Sequence, residues 1–162
     1  MKIGVISDTH IRERTQEIPQ EILEAFKSAD MVIHAGDLVE LSVLDKLKSV
    51  CANVKAVWGN MDPEEIRNVL PQKEIITLGK YRLGIMHGWG TPNNLVELLT
   101  SEFKDQKVDV IIFGHSHSPL NTKIGNTLFF NPGSPTDKVF APYNSYGLIE
   151  INDTIKAKIV KL

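Results

Sequence analysis

Five short polar motifs punctuate this chain: Asp8-Thr9-His10, Gly36-Asp37, Gly59-Asn60-Met61-Asp62, His87-Gly88 and Gly114-His115-Ser116-His117. Four of its five histidines fall within them. Carboxylates supply charge and can bridge two ions, and neutral imidazole binds an ion without adding charge. Gathered together, such groups hold transition metals, so hydrolytic metal chemistry is the first reading. Asp8 and His10 are separated by one residue, as are His115 and His117. If a strand runs on through each pair, both side chains share a face. Taken alone, Asp-x-His is as readily a loop acid beside a surface histidine. His-x-His after an apolar run and a glycine is stronger, and all the motifs together make a chance assembly hard to credit.

Each motif follows an apolar run that reads as a strand. Ile3 to Ile6, Met31 to Ile33 and Val54 to Trp58 are short enough for buried strands. Between them, residues 11–18 read as a loop, Pro19 suits a first helical turn, and Ile22, Leu23 and Phe26 make an apolar stripe ended at Asp30. Leu41, Leu44 and Leu47 space a second helix. This alternation predicts a parallel sheet with right-handed crossovers, in which sites form beyond the carboxyl ends of the strands. The second half reads as hairpins about Gly79-Lys80, Gly125-Asn126 and Asn152-Asp153. A helix opened by Pro92 and a continuous apolar strand, Val108 to Phe113, lie between the first two. Two packed sheets with helices outside follow.

The 162 residues suit one domain spanning 1–162, with 42% apolar and 23% charged residues and a net charge of −2. Nothing in that balance is a nucleic-acid or membrane signature. The apolar start is too short for a signal peptide, no segment reaches a membrane span, and a cytoplasmic protein is the expectation. Cys51, the only cysteine, sits between Val50 and Ala52 and reads as a small buried hydrophobe.

Taken together, Asp8-x-His10, Gly36-Asp37, Gly59-Asn60-x-Asp62, His87-Gly88 and Gly114-His115-x-His117 resemble, in the same order, the motifs of the calcineurin-like metallophosphoesterase superfamily. The small size and Asn131-Pro132-Gly133-Ser134 resemble its small bacterial and archaeal phosphodiesterase branch. The resemblance implies an α/β fold of two mixed sheets flanked by helices, a four-layer α-β-β-α sandwich. It also implies a dinuclear site. Asp8, His10, Asp37 and His117 would hold one ion; Asp37, Asn60, His87 and His115 would hold the other, with Asp37 bridging. Asp37, Asn60 and Asp62 would carry catalytic roles. Two ions about 3.5–4 Å apart clamp a phosphoryl group and lower the pKa of a bridging water, giving a hydroxide nucleophile. The mixed oxygen and nitrogen set suits manganese, iron or zinc better than magnesium or calcium; manganese is the expectation, with iron, zinc or nickel as alternatives.

Met61 departs from the pattern. Many relatives have a histidine there, placed to protonate the leaving group or contact the phosphate, and a thioether has no proton to give. The expectation is a phosphodiesterase acting on a small phosphoester with a good leaving group. A phosphomonoesterase, on nucleotides or proteins, is the alternative. A protein-binding scaffold like the retromer subunit that resembles this branch is a third class. Relatives often self-associate, so a homo-oligomer is allowed for. Asp62 either orients a histidine or caps the helix about Pro63-Glu64-Glu65. His34 reads as a hydrogen-bonded structural histidine. Trp89 reads as a pocket wall or ordinary packing, and Lys138 as a substrate cation or a solvated side chain. In Asn131-Pro132-Gly133-Ser134, the backbone N–H groups and serine hydroxyl either touch phosphate or form a tight turn.

Overall fold

The computed structural model describes residues 1–12 and 17–162. Part of the loop expected at 11–18 therefore lies outside the described residues. Among the described residues, ten strands form two five-stranded sheets. The first contains β1 (Lys2–Ile6), β2 (Met31–His34), β3 (Val54–Ala56), β9 (Ser145–Ile151) and β10 (Ile155–Lys161) in the order β10-β9-β1-β2-β3. The second contains β4 (Lys73–Leu78), β5 (Tyr81–Met86), β6 (Val110–Ile112), β7 (Leu120–Ile124) and β8 (Thr127–Asn131) in the order β4-β5-β6-β8-β7. Each sheet has a parallel centre: β1-β2-β3 in one and β5-β6-β8 in the other. Antiparallel strands flank both centres.

Period-two alternation sorts side chains between layers. Ile3 and Val5 point to the core between the sheets, where Ile33, Leu83, Ile85, Val110, Ile112 and Phe130 meet them. Ile6 and Val32 point the other way, onto α1 (Gln20–Phe26) and α2 (Ser42–Lys48) through Ile22, Phe26, Leu44 and Leu47. Ile111 and Phe129 face α4 (Leu95–Glu102) through Leu95 and Leu99. These three cores define a four-layer α-β-β-α stack. The short α3 (Glu64–Arg67) adds Ile66 to the outer core of the first sheet.

The hairpins form where the turn residues place them. The last one joins the first sheet: β9 pairs antiparallel with β1, so β9–β10 completes it. The strand expected over Val54 to Trp58 stops at Ala56, because the Trp58 N–H donates to the Pro71 carbonyl instead of a ladder partner. The β6 strand likewise spans only Val110–Ile112 within the expected Val108 to Phe113. Cys51 is buried, with Sγ 3.5 Å from the Ala29 carbonyl.

Candidate metal centre

The carboxyl ends of β1, β2, β3, β5 and β6 all open on one edge of the stack, and the polar motifs follow them. The strands do not run on through those motifs. Among the described residues, Asp8, His10, Asp37, Val39, His115 and His117 are the non-glycine residues with left-handed backbone, φ +45° to +75°. They form three pairs at i and i+2. That geometry costs about 1–3 kcal/mol per residue and persists only where surroundings impose it. The shared-face expectation for Asp8/His10 and His115/His117 therefore fails in its mechanism. Alternating left-handed residues, not a pleated strand, aim these side chains.

The surroundings that impose the strain are visible. The Asp8 and His10 N–H groups donate to the Gly36 and Asp37 carbonyls, tying the loop after β1 to the loop after β2. The Asp62 carboxylate accepts from the N–H groups of Asp37 (3.0 Å), Val39 (2.6 Å) and Gly59 (2.7 Å). It thus holds the strained 37–39 backbone. Helix α3 starts after Pro63 with no side-chain cap, and the bonds of Asp62 go to no histidine. Neither role expected of Asp62 describes this. Burial pushes its pKa up, against the amide hydrogen bonds that lower it. Across the site, the His115 N–H reaches both Asp8 carboxylate oxygens at 3.1 Å. Gly114 is obligatory here, since a Cβ would sit 1.9 Å from Ser7 Oγ and 2.6 Å from Asp8 Oδ2.

Two sets of potential ligand atoms converge: Asp8, His10 and His117, and Asp8, Asp37 and His87. They share Asp8, whose Oδ1 lies 3.3 Å from His117 Nε2 and 3.7 Å from His87 Nε2. Asp37 Oδ2 lies 3.2 Å from His87 Nε2 and 3.6 Å from His10 Nε2, so it reaches toward both sets. Asn60 and His115 stand outside them and face each other at 2.8 Å, while His115 Nε2 meets the Gly90 carbonyl at 2.7 Å. With Nε2–H donating there, Nδ1 and Asn60 Oδ1 meet as two acceptors, a pairing that needs a proton or a cation between them.

His87 provides the test of fit to an ion. Its Nδ1–H donates to the Ala35 carbonyl at 2.7 Å, which turns Nε2 toward Asp8 and Asp37. Nε2 is buried and, among the described residues, has no well-aligned hydrogen-bond partner, despite lying between two carboxylates. An imidazole lone pair fixed by its far nitrogen and aimed among carboxylate oxygens fits a divalent ion. In the protein alone, protons balance the charge. Burial lowers His87, but Asp8 and Asp37 outweigh it and hold the ring at about 9. Burial likewise lowers His117, but Asp8 and Asp137 hold it at about 9. Burial raises Asp8 and Asp37, and the histidines more than compensate, leaving both below the usual carboxylate range. His10 goes the other way: burial lowers it further than the two acids raise it.

Asp137 has no counterpart among the motifs. Its carboxylate accepts from His117 Nδ1 and from the N–H groups of Val139, Phe140 and Ala141. Only its place beyond β8, next to β6 in the sheet, brings it to His117. The phosphate contact considered for Asn131-Pro132-Gly133-Ser134 is not what the structure shows. The Gly133 N–H goes to Asn131 Oδ1, and the buried Ser134 hydroxyl donates to the Asp8 carbonyl. The segment braces the loop beneath the ligands. His34 is fully buried between Thr9 Oγ1 (3.0 Å) and the Gly36 N–H (3.2 Å), and burial pushes its pKa down to about 3.

The cluster forms one side of an open cleft of about 780 Å³, lined also by Asn60, Met61, Lys138 and Phe140. Trp89 lines a separate cavity of about 240 Å³ beside His87, with Trp58 and Arg67. No helix among the described residues is long and apolar enough to cross a membrane.

Comparison with known proteins places these features. Residues 1–154 match the calcineurin-like phosphoesterase superfamily domain. A Methanocaldococcus jannaschii protein named "Probable metallophosphoesterase" is 37% identical, covering 100% of this chain and 82% of its own. A phosphodiesterase of the same organism is 28% identical, covering 82% of this chain and 83% of its own. Among solved structures, Entamoeba histolytica Vps29 complexed with Zn²⁺ superposes with a TM-score of 0.76, at 28% identity over 99% of both chains. On the strength of the domain match and the 37% relative, this chain belongs to the calcineurin-like phosphoesterase superfamily.

Proposed function

We propose that this protein is a metal-dependent phosphodiesterase working through a dinuclear site. The observation that carries the reading is His87 Nε2, buried, without a well-aligned hydrogen-bond partner among the described residues, and aimed between Asp8 and Asp37. Bound divalent ions, manganese by preference, would activate a water and neutralise charge on a phosphoryl group. Asp8 and Asp37 would supply negative charge, with His10, His87 and His117 as neutral ligands, and Asn60 and His115 would complete the set from their shared edge. The Met61 N–H holds Asp37 Oδ1 at 2.7 Å, leaving Oδ2 to the ligand side. Asp62, itself buried, positions that carboxylate through the backbone. Asp137 fixes the His117 ring so that Nε2 faces Asp8.

Two features favour diesters. Met61 lines the cleft where many relatives carry a histidine, and it offers no proton to a leaving group. The cleft also has room for both ester arms, and a relative of 28% identity is named a phosphodiesterase. The test is a panel of aryl phosphodiesters and monoesters assayed with Mn²⁺, Zn²⁺, Ni²⁺ and Fe²⁺. Diesters should exceed monoesters in kcat/KM by at least about tenfold. Rates should fall steeply as the leaving-group pKa rises. A monoester preference would select the phosphatase reading. No turnover with any metal would select a binding role. That second class draws support from the likeness to Vps29.

A further inference from the structure

We propose that Phe140 and Met61 form an apolar subsite for a planar aromatic ring carried by a phosphoester whose phosphoryl group sits at the Asp8–His10–His117 set. The proposal rests on reading the cleft as a phosphoester site. Large apolar side chains are mostly buried in this protein, yet Phe140 is 76% and Met61 53% exposed, and both line the cleft that contains His10 and His117. The Phe140 ring stands nearly perpendicular to the His117 imidazole, with centroids 6.1 Å apart. A phosphoryl group seated against His117 therefore has that ring beside it. A substituent leaving the phosphorus along the cleft passes Phe140.

The ring is presented by a braced loop. Asp137 accepts from the N–H groups of Val139, Phe140 and Ala141, and the same carboxylate takes His117 Nδ1. Asn144 Nδ2 adds bonds to the carbonyls of Asp137 (2.6 Å) and Ser134 (3.3 Å). One carboxylate thus sets both the ligand and the exposed aromatic, fixing the distance between phosphoryl position and ring. The cleft, about 780 Å³, falls within the ~300–1,000 Å³ of small-ligand sites and exceeds what a phosphoryl group fills. An aromatic ring and a polarisable thioether favour an aromatic occupant over an alkyl one. Lys138 on the same loop lines the cleft and suits an anionic ligand.

Two probe pairs test this by titration calorimetry on Mn²⁺-supplied protein: phenylphosphonate against methylphosphonate, and adenosine 5′-monophosphate against ribose 5-phosphate. In at least one pair the aromatic member should bind about tenfold tighter. That ratio should fall to near one in Phe140→Ala, drop partway in Met61→Ala and persist in Phe140→Trp. The phenyl pair responding points to an aryl group on phosphorus, and the nucleotide pair to a base one sugar away. Ratios near one in the native protein, or a ratio that Phe140→Ala leaves intact, overturn the subsite. Hydrolysis of bis(p-nitrophenyl) phosphate is measured alongside. Cleavage with no aromatic preference overturns the subsite and keeps the phosphodiesterase. Aromatic preference without cleavage supports the subsite and overturns the phosphodiesterase.

Discussion

The two sheets contribute unlike chemistry to one edge. The first sends Asp8, His10, Asp37 and Asn60 from the ends of β1, β2 and β3; the second sends His87, His115 and His117 from β5 and β6. The buried acids of the cluster come from the first sheet, with Asp8 and Asp37 only 0% and 2% exposed. They would repel each other in a half-formed molecule. The second sheet brings the imidazoles that offset them, and the core between the sheets lies directly behind. Docking the sheets and assembling the site are therefore one event. Each sheet's groups set the proton affinity of the other's.

The severest way to break this comparison is to neutralise a first-sheet acid. Asp37→Asn keeps the shape and an oxygen for the Met61 N–H, but removes the charge facing His87 and His10. Phosphodiester turnover should fall by about three orders of magnitude, on the scale of losing a principal electrostatic group. Bound metal per chain, measured by elemental analysis, should fall with it. Full activity in this variant would remove the basis of the metal-site reading.

How much of this was legible in the sequence depends on whether the information is local. The motifs stand at strand ends because an apolar run followed by Asp or His is a local pattern. The hairpins formed where Gly79, Gly125 and Asn152-Asp153 mark turns. The spacing of Asp8 and His10 was visible, but its cause was not: alternating left-handed residues and a pleated strand give the same i, i+2 pattern. Asp137 was invisible for a different reason. Its bond to His117 depends on β8 lying beside β6, a sheet order that no window of sequence contains. The return of β9 to β1 is hidden in the same way.

A milder perturbation uses pH on protein stripped of metal. His87 titrates at about 9 in the fold against 6.5 for the free group. Its contribution is fully present below pH 6.5 and is lost as pH rises through 9. That is on the order of 3 kcal/mol, weakened where its partners titrate with it. Urea unfolding in EDTA should show stability falling between pH 6.5 and 9. Excess Mn²⁺ should abolish the slope, because an ion takes the lone pair that the proton held. His34 belongs to the first sheet alone and supplies the contrast: with a folded pKa near 3, its contribution is lost as pH falls from 6.5 toward 3. Equal stability of the stripped protein at pH 6.5 and 9 would mean that the second sheet's imidazoles do not offset the first sheet's acids.

The smallest expected effect sharpens the comparison by separating the two ways a second-sheet histidine is oriented. His87 is turned by a first-sheet backbone carbonyl, at Ala35, which side-chain substitution cannot remove. His117 is turned by Asp137, an acid beyond β8 of its own sheet. Burial raises Asp137, but the His117 hydrogen bond and the Val139 and Phe140 amides outweigh it, so the carboxylate stays charged. That charge makes His117 a stronger ligand. Asp137→Asn keeps one oxygen for His117 Nδ1–H and the Phe140 and Ala141 amides, and removes the charge together with the oxygen that accepts from Val139. Metal affinity, measured by competition with a chelating dye, should weaken by about 10–100-fold. In the metal-free protein, the His117 titration, followed by NMR, should fall from about 9 while His87 stays in place. If both histidines shift together, they titrate as one unit and the division between the sheets is not the one that matters. If neither shifts, Asp137 holds the loop alone and His117 takes its orientation from Asp8 across the sheet interface.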